Sequence, residues 1–183
     1  MAVVNHVDKP PALLPHPLRT AGARAHAPPQ LIPCLIASTN ASRRRLLRAV
    51  AEERAWQAIL CRDAGELLAA VRQRRVPLLV IDLPDSAAAD YAAMRRAVET
   101  ARPLSGGLLA VLGLGADGLE EIWARGLGAW IYVNQASDRR HFLPLFDDAR
   151  WLVARADHER REGPAAAAPA ASPADASQQA ESA

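Results

Sequence analysis

The chain has 183 residues and a net charge of +2, and half of it is hydrophobic, so one domain with extensions is expected. That charge is too small to indicate a nucleic-acid partner, and Lys9 is the one lysine among 22 Lys and Arg. No apolar run approaches the ~18 residues of a membrane span, and the N-terminus lacks a signal peptide's basic-then-apolar layout. A soluble, cytoplasmic protein is expected.

Residues 1–30 carry six prolines and no apolar periodicity, and are read as a disordered arm. His6, His16 and His26 recur in it at equal intervals, but without a scaffold or a neighbouring cysteine they are not expected to hold a metal. From Leu31 a regular alternation begins. Leu31 to Ala37 reads as a first strand, with Pro33 near its start. Asn40 or Ser42 can cap a helix through about Arg54, with Leu46, Leu47, Val50 and Ala51 inward. Trp56 to Cys61 is a second strand, and Asp63 caps a second helix with Leu67, Leu68 and Val71 inward.

Pro77 to Asp82 is an uncharged run ending on a carboxylate, which reads as a central strand buried on both faces. Ser86 to Ala101 forms a third helix on Tyr91, Met94 and Val98, and Leu108 to Leu112 a fourth strand. Asp117 to Arg125 is a short helix expected to bury Leu119, Ile122 and Trp123. Ala129 to Val133 is a fifth strand, and the last helix is expected to start at Pro144 and to bury Phe146, Ala149, Leu152 and Val153. Residues 163–183 are an Ala/Pro/Ser tail read as disordered. Cys34 and Cys61 lie in apolar runs far from any metal-ligand spacing, as buried, reduced thiols would.

Five strands alternating with five helices imply an α/β fold over 31–162: a doubly wound, five-stranded parallel sheet in three layers. In such sheets chemistry gathers at the carboxyl edge of the strands, where Asp82 sits.

The strand "PLLVIDLPD" around Asp82 and the segment "GLGAWIYVNQ" at 126–135 resemble the receiver domain of bacterial response regulators, a flavodoxin-like fold. The resemblance implies signal transduction in a two-component phosphorelay, with Asp82 in the place of the phosphoacceptor. The family's Mg²⁺-binding acidic pair then falls on Ser38 and Thr39, its strand-four hydroxyl on Gly113, its strand-five lysine on Gln135 and its switch aromatic on Tyr132. The pocket implied is therefore degenerate. Mg²⁺ is usually held through one or two carboxylates with phosphate and water, and phosphoryl transfer relies on cations that neutralise the transferred oxygens. Asp82 is accordingly expected to be poorly phosphorylated, to need no cofactor, and to accept hydrogen bonds from Ser38, Thr39 or loop amides.

A competing motif is Gly113-Leu-Gly115-Ala-Asp-Gly118, which fits the dinucleotide fingerprint between a strand and a helix. It follows the fourth strand rather than the first of a half, so a tight turn explains it as well; a nucleotide-binding α/β protein stays as the alternative function. No Ser/His/Asp set, paired carboxylates or zinc spacing is present, and no enzyme is expected. The function expected is that of a stand-alone pseudo-receiver acting by phosphorylation-independent protein–protein interaction. The resemblance places its partner or homodimer contact on the last two helices and strand five, where Trp123, Trp130 and Trp151 lie.

Overall fold

The computed structural model describes residues 31–115 and 118–162. The two arms read as disordered, with His6, His16 and His26, lie outside the described residues. Elements alternate strictly: β1 (Ile32–Ser38), α1 (Ala41–Glu53), β2 (Trp56–Cys61), α2 (Ala64–Gln73), β3 (Leu78–Asp82), α3 (Tyr91–Ser105), β4 (Leu108–Gly113), α4 (Leu119–Gly126), β5 (Ile131–Asn134) and α5 (Arg139–Glu162). The strands form one parallel sheet in the order β2-β1-β3-β4-β5, the fold class expected.

Because side chains alternate across a strand, each central strand feeds two cores. Cys34, Ile36, Leu78, Val80, Ala110 and Leu112 point to one face and pack with Leu47, Val50, Phe142, Phe146 and Ala149 from α1 and α5. Leu35, Ala37, Leu79, Ile81, Leu109 and Val111 point to the other and meet Leu67, Met94, Val98 and Ala124 from α2, α3 and α4. All five residues of β3 are buried, as a strand covered on both faces requires. Trp56 is fully buried, and its Nε1 donates to the Phe146 carbonyl at 3.1 Å, tying β2 to α5.

Three helices depart from their expected bounds or faces. The third helix starts at Tyr91 rather than Ser86, because the Asp85 side chain accepts the Ala87 N–H and holds the chain in turns first. It then runs through Pro103 to a left-handed Gly106. The last helix starts at Arg139, not Pro144: Asp138 accepts the Arg140 N–H at 2.8 Å, and Pro144 falls inside the helix. α4 is turned the other way round. Leu119 and Ile122, expected inward, are 65% and 68% exposed, whereas Glu120 is buried. The cause lies in what Glu120 binds.

Candidate functional site

The order β2-β1-β3-β4-β5 reverses direction between β1 and β3, and open α/β sheets carry their crevice at such a switch point. Ser38 and Asp82 are the last residues of those two strands and are register partners, so they meet at the carboxyl edge. Both are buried. The Ser38 hydroxyl donates to Asp82 Oδ2 at 2.6 Å, as expected of this position. Thr39 makes no hydrogen bond to Asp82, contrary to expectation.

The second partner is one that the sequence reading missed. Asn40 caps α1 by accepting the Ser42 and Arg43 N–H groups, which places Arg43 in the first turn beside the strand edge. Its Nε donates to Asp82 Oδ1 at 2.7 Å and Oδ2 at 2.9 Å, and its Nη2 lies 2.6 Å from Oδ1. Nη1 donates to the Ala136 carbonyl at 2.5 Å, on the loop after β5. The Phe142 ring lies below the guanidinium at 5.7 Å. One side chain therefore joins α1, β3 and the β5–α5 loop.

This geometry does not fit Mg²⁺. Among the described residues the pocket offers one carboxylate, both of whose oxygens are already taken by Arg43 and Ser38. A resident guanidinium within 3 Å would also repel a divalent ion. Among the described residues no group of three or more His, Cys, Asp or Glu could hold a metal. Arg43 supplies the positive charge internally.

The strand-five positions follow the same logic. Gln135 sits at φ 53°, and its N–H donates to the Gly113 carbonyl at 2.9 Å, but its side chain is exposed and makes no bond to Asp82. Tyr132 points inward. Its hydroxyl donates to Glu120 Oε2 at 3.1 Å, and the Gly115 N–H reaches the same oxygen at 3.3 Å. Burial, then the hydrogen bond and charge of Glu120, push the Tyr132 phenol well above its usual pKa, and burial raises Tyr91 beside the same carboxylate. Glu120 is thus held inside by Gly115 of the β4–α4 loop and Tyr132 of β5, and the buried face of α4 follows it.

Gly113 and Gly115 make that arrangement fit. A Cβ on Gly113 would lie 2.1 Å from Tyr132 Oη and 2.4 Å from Glu120 Oε2, and one on Gly115 would lie 3.1 Å from Glu120 Cδ. The glycine loop therefore holds a carboxylate of its own chain where a fingerprint loop would receive an anionic pyrophosphate. Nothing in this geometry favours the nucleotide reading.

The three tryptophans do not form one cluster. Half-buried Trp130 packs with the α1/α5 core. Half-buried Trp123 packs with the opposite core; its Nε1 donates to Glu99 at 2.8 Å and Arg95 stacks on it at 4.5 Å. Trp151 on α5 is 60% exposed, with Arg155 over its ring. Cys34 and Cys61 are free and buried, as expected, and burial raises their thiols to about 12 and about 11.

No protein-family model matches the sequence, and no curated protein sequence matches it either. Solved structures do match. The chain is similar to a CheY-like receiver domain protein from Methanospirillum hungatei, at 18% identity and TM-score 0.56 over 73% of this chain and 100% of that one. It resembles the receiver domain of the Geobacillus stearothermophilus response regulator AraT, at 19% identity and TM-score 0.53, covering 70% of this chain and 99% of that one. The chemotaxis response regulator CheY4 of Vibrio cholerae matches at 11% identity and TM-score 0.52, over 66% of this chain and 99% of that one. At these identities the likeness is one of fold, and the fold is that of a receiver domain.

Proposed function

From a receiver-like fold whose pocket is closed by its own arginine, we propose that this protein is a pseudo-receiver. It carries a signal by binding another protein or a second copy of itself, without phosphorylation and without catalysis. The observation that supports this reading is the Arg43 clamp on Asp82. A carboxylate that is to attack a phosphoryl group needs a free oxygen and a cation placed to receive the transferred oxygens. Here the cation lies on the nucleophile itself, and Ser38 takes the remaining lone pair. Tyr132 is held inward by Glu120 over a strand-four position with no hydroxyl, so the aromatic has no phosphate-linked partner to follow.

The binding face is proposed on α4, β5 and α5. β5 is an edge strand, and α4 and α5 pack against opposite faces of the sheet beside it. Exposed Leu119 and Ile122 on α4 and Trp151 on α5 give this face an apolar surface. Tryptophan is among the residues that carry most of the binding energy at protein interfaces, and Trp151 supplies one here. Among the described residues no helix is long and apolar enough to cross a membrane. A cytoplasmic protein with no nucleic-acid contact fits this reading.

The test is affinity capture from the native cell with the wild type and with Ile122→Glu/Trp151→Glu, both positions being exposed. The reading predicts a partner, or a second copy, recovered by the wild type and lost in the double variant, with no change on adding acetyl phosphate. Capture that requires acetyl phosphate would refute it.

A further inference from the structure

The opposite edge of the sheet carries a second surface. A groove of about 1060 Å³ opens there, with the segments 31–33, 75–77 and 105–108, where β1, β3 and β4 begin, as one wall. The other wall is α5 from Arg150 to Arg161. Val153 is the last buried residue of α5, so the helix overhangs the sheet beyond it and creates the groove. It lies at the amino edge of the strands, remote from Asp82 at the carboxyl edge.

Its charge is one-sided. Arg75, Arg150, Arg160 and Arg161 line it against a single acid, Asp157. Asp157 is taken by Arg160 at 2.8 Å, and Arg150 is fixed to the Arg54 and Ala55 carbonyls. Arg75 and Arg161 make no ion pair or hydrogen bond among the described residues, and they stand on opposite walls. Between them lie accessible apolar groups, Leu31, Pro77 and Leu108. The α5 wall runs from residue 150 to residue 161, about 16 Å at ~1.5 Å per residue, which matches about five residues of extended chain at ~3.3 Å each.

We propose that this groove binds an extended acidic–apolar peptide segment of a protein partner. Carboxylates of the segment meet Arg75 and Arg161, where arginine's planar fork suits them, and alternate apolar side chains lie along the floor. The groove shares α5 with the α4–β5–α5 face, but Leu119, Ile122 and Trp151 are not among its lining residues. A basic segment would meet uncompensated guanidinium charge.

The experiment is fluorescence anisotropy of a fluorescein-labelled Glu-Leu-Glu-Leu-Glu-Leu peptide with the full chain, at low and at moderate ionic strength. Saturable binding is expected, weakened by salt, reduced at least about tenfold in Arg75→Glu/Arg161→Glu through lost and reversed charge, and unchanged in Arg45→Glu on α1. All three arginines are exposed, so these variants should fold. No saturation, equal binding by the groove variant, or equal binding of a Lys-Leu peptide overturns the proposal. Binding that appears only in Asp175→Asn/Glu181→Gln assigns the groove to the chain's own C-terminal segment, and displacement of the peptide by self-association assigns it to a second copy; either result also overturns it.

Discussion

Removing Asp82 should destabilise the fold, and by more than the loss of an ordinary hydrogen bond. Its carboxylate accepts from Ser38 and from two nitrogens of Arg43, with side-chain exposures of 3% for Asp82 and 15% for Arg43. In Asp82→Ala the guanidinium keeps only the Ala136 carbonyl and the Phe142 ring. Breaking a buried pair by deleting one partner costs about 3–5 kcal/mol, because a buried charge is left uncompensated. Arg43 retains some access to water, so the low end, about 3 kcal/mol, is expected. With a urea m-value of about 2 kcal/mol per molar, that moves the midpoint down by about 1.5 M.

Urea titration followed by tryptophan fluorescence reads this directly, since Trp56 is fully buried. Arg43→Met/Asp82→Leu should recover most of the loss, because replacing both partners by apolar groups of similar volume is often neutral. Adding Mg²⁺ should leave the wild-type midpoint where it is. An Asp82→Ala variant as stable as wild type, or a wild type stabilised by millimolar Mg²⁺, would refute the clamp.

Gly113→Ser should drive Tyr132 outward, since even a Cβ there would lie 2.1 Å from its hydroxyl; increased tyrosine accessibility to nitration checks this. Gly107→Ala puts a Cβ 2.4 Å from the Val76 carbonyl and 2.6 Å from Pro77 backbone, which cannot yield, and should cost about 3 kcal/mol in urea unfolding. Cys34 and Cys61 should resist iodoacetamide at pH 8 until the chain unfolds. Because their folded pKa values, and that of Tyr132, are raised, the stability they contribute is fully present below the unfolded values. It should fall as pH rises from about 9 towards 11–12, as the unfolded chain loses these protons first. A thermal midpoint constant from pH 8 to pH 11 would contradict this.

The sheet was legible because each strand is a short apolar run and each helix carries a cap or a periodic face; Asn40 and Asp63 cap where their side chains permit it. Asp82 was legible as a carboxylate ending a fully apolar strand. Arg43 was not, because its role depends on a side chain reaching from one element to two others. A local sign did exist. Arg43, Arg44 and Arg45 crowd the start of a helix with no acid in its first turn, against the helix dipole, so one of them was due a specific anion. α4 was misread for the opposite reason. Periodicity gave Leu119 and Ile122 the inward face, but a carboxylate bound by Tyr132 and Gly115 outweighs two leucine-sized burials in an eight-residue helix. Sequence pattern ranks residues by polarity, and a buried acid with waiting donors inverts that ranking.

On the proposed reading, Arg43 stands in place of the phosphoryl-transfer machinery around Asp82. Intact-mass measurement of the full chain after incubation with acetyl phosphate and Mg²⁺ decides this. The clamp predicts no gain of a phosphoryl group in the wild type. Stoichiometric, Mg²⁺-dependent phosphorylation that disappears in Asp82→Asn would contradict it.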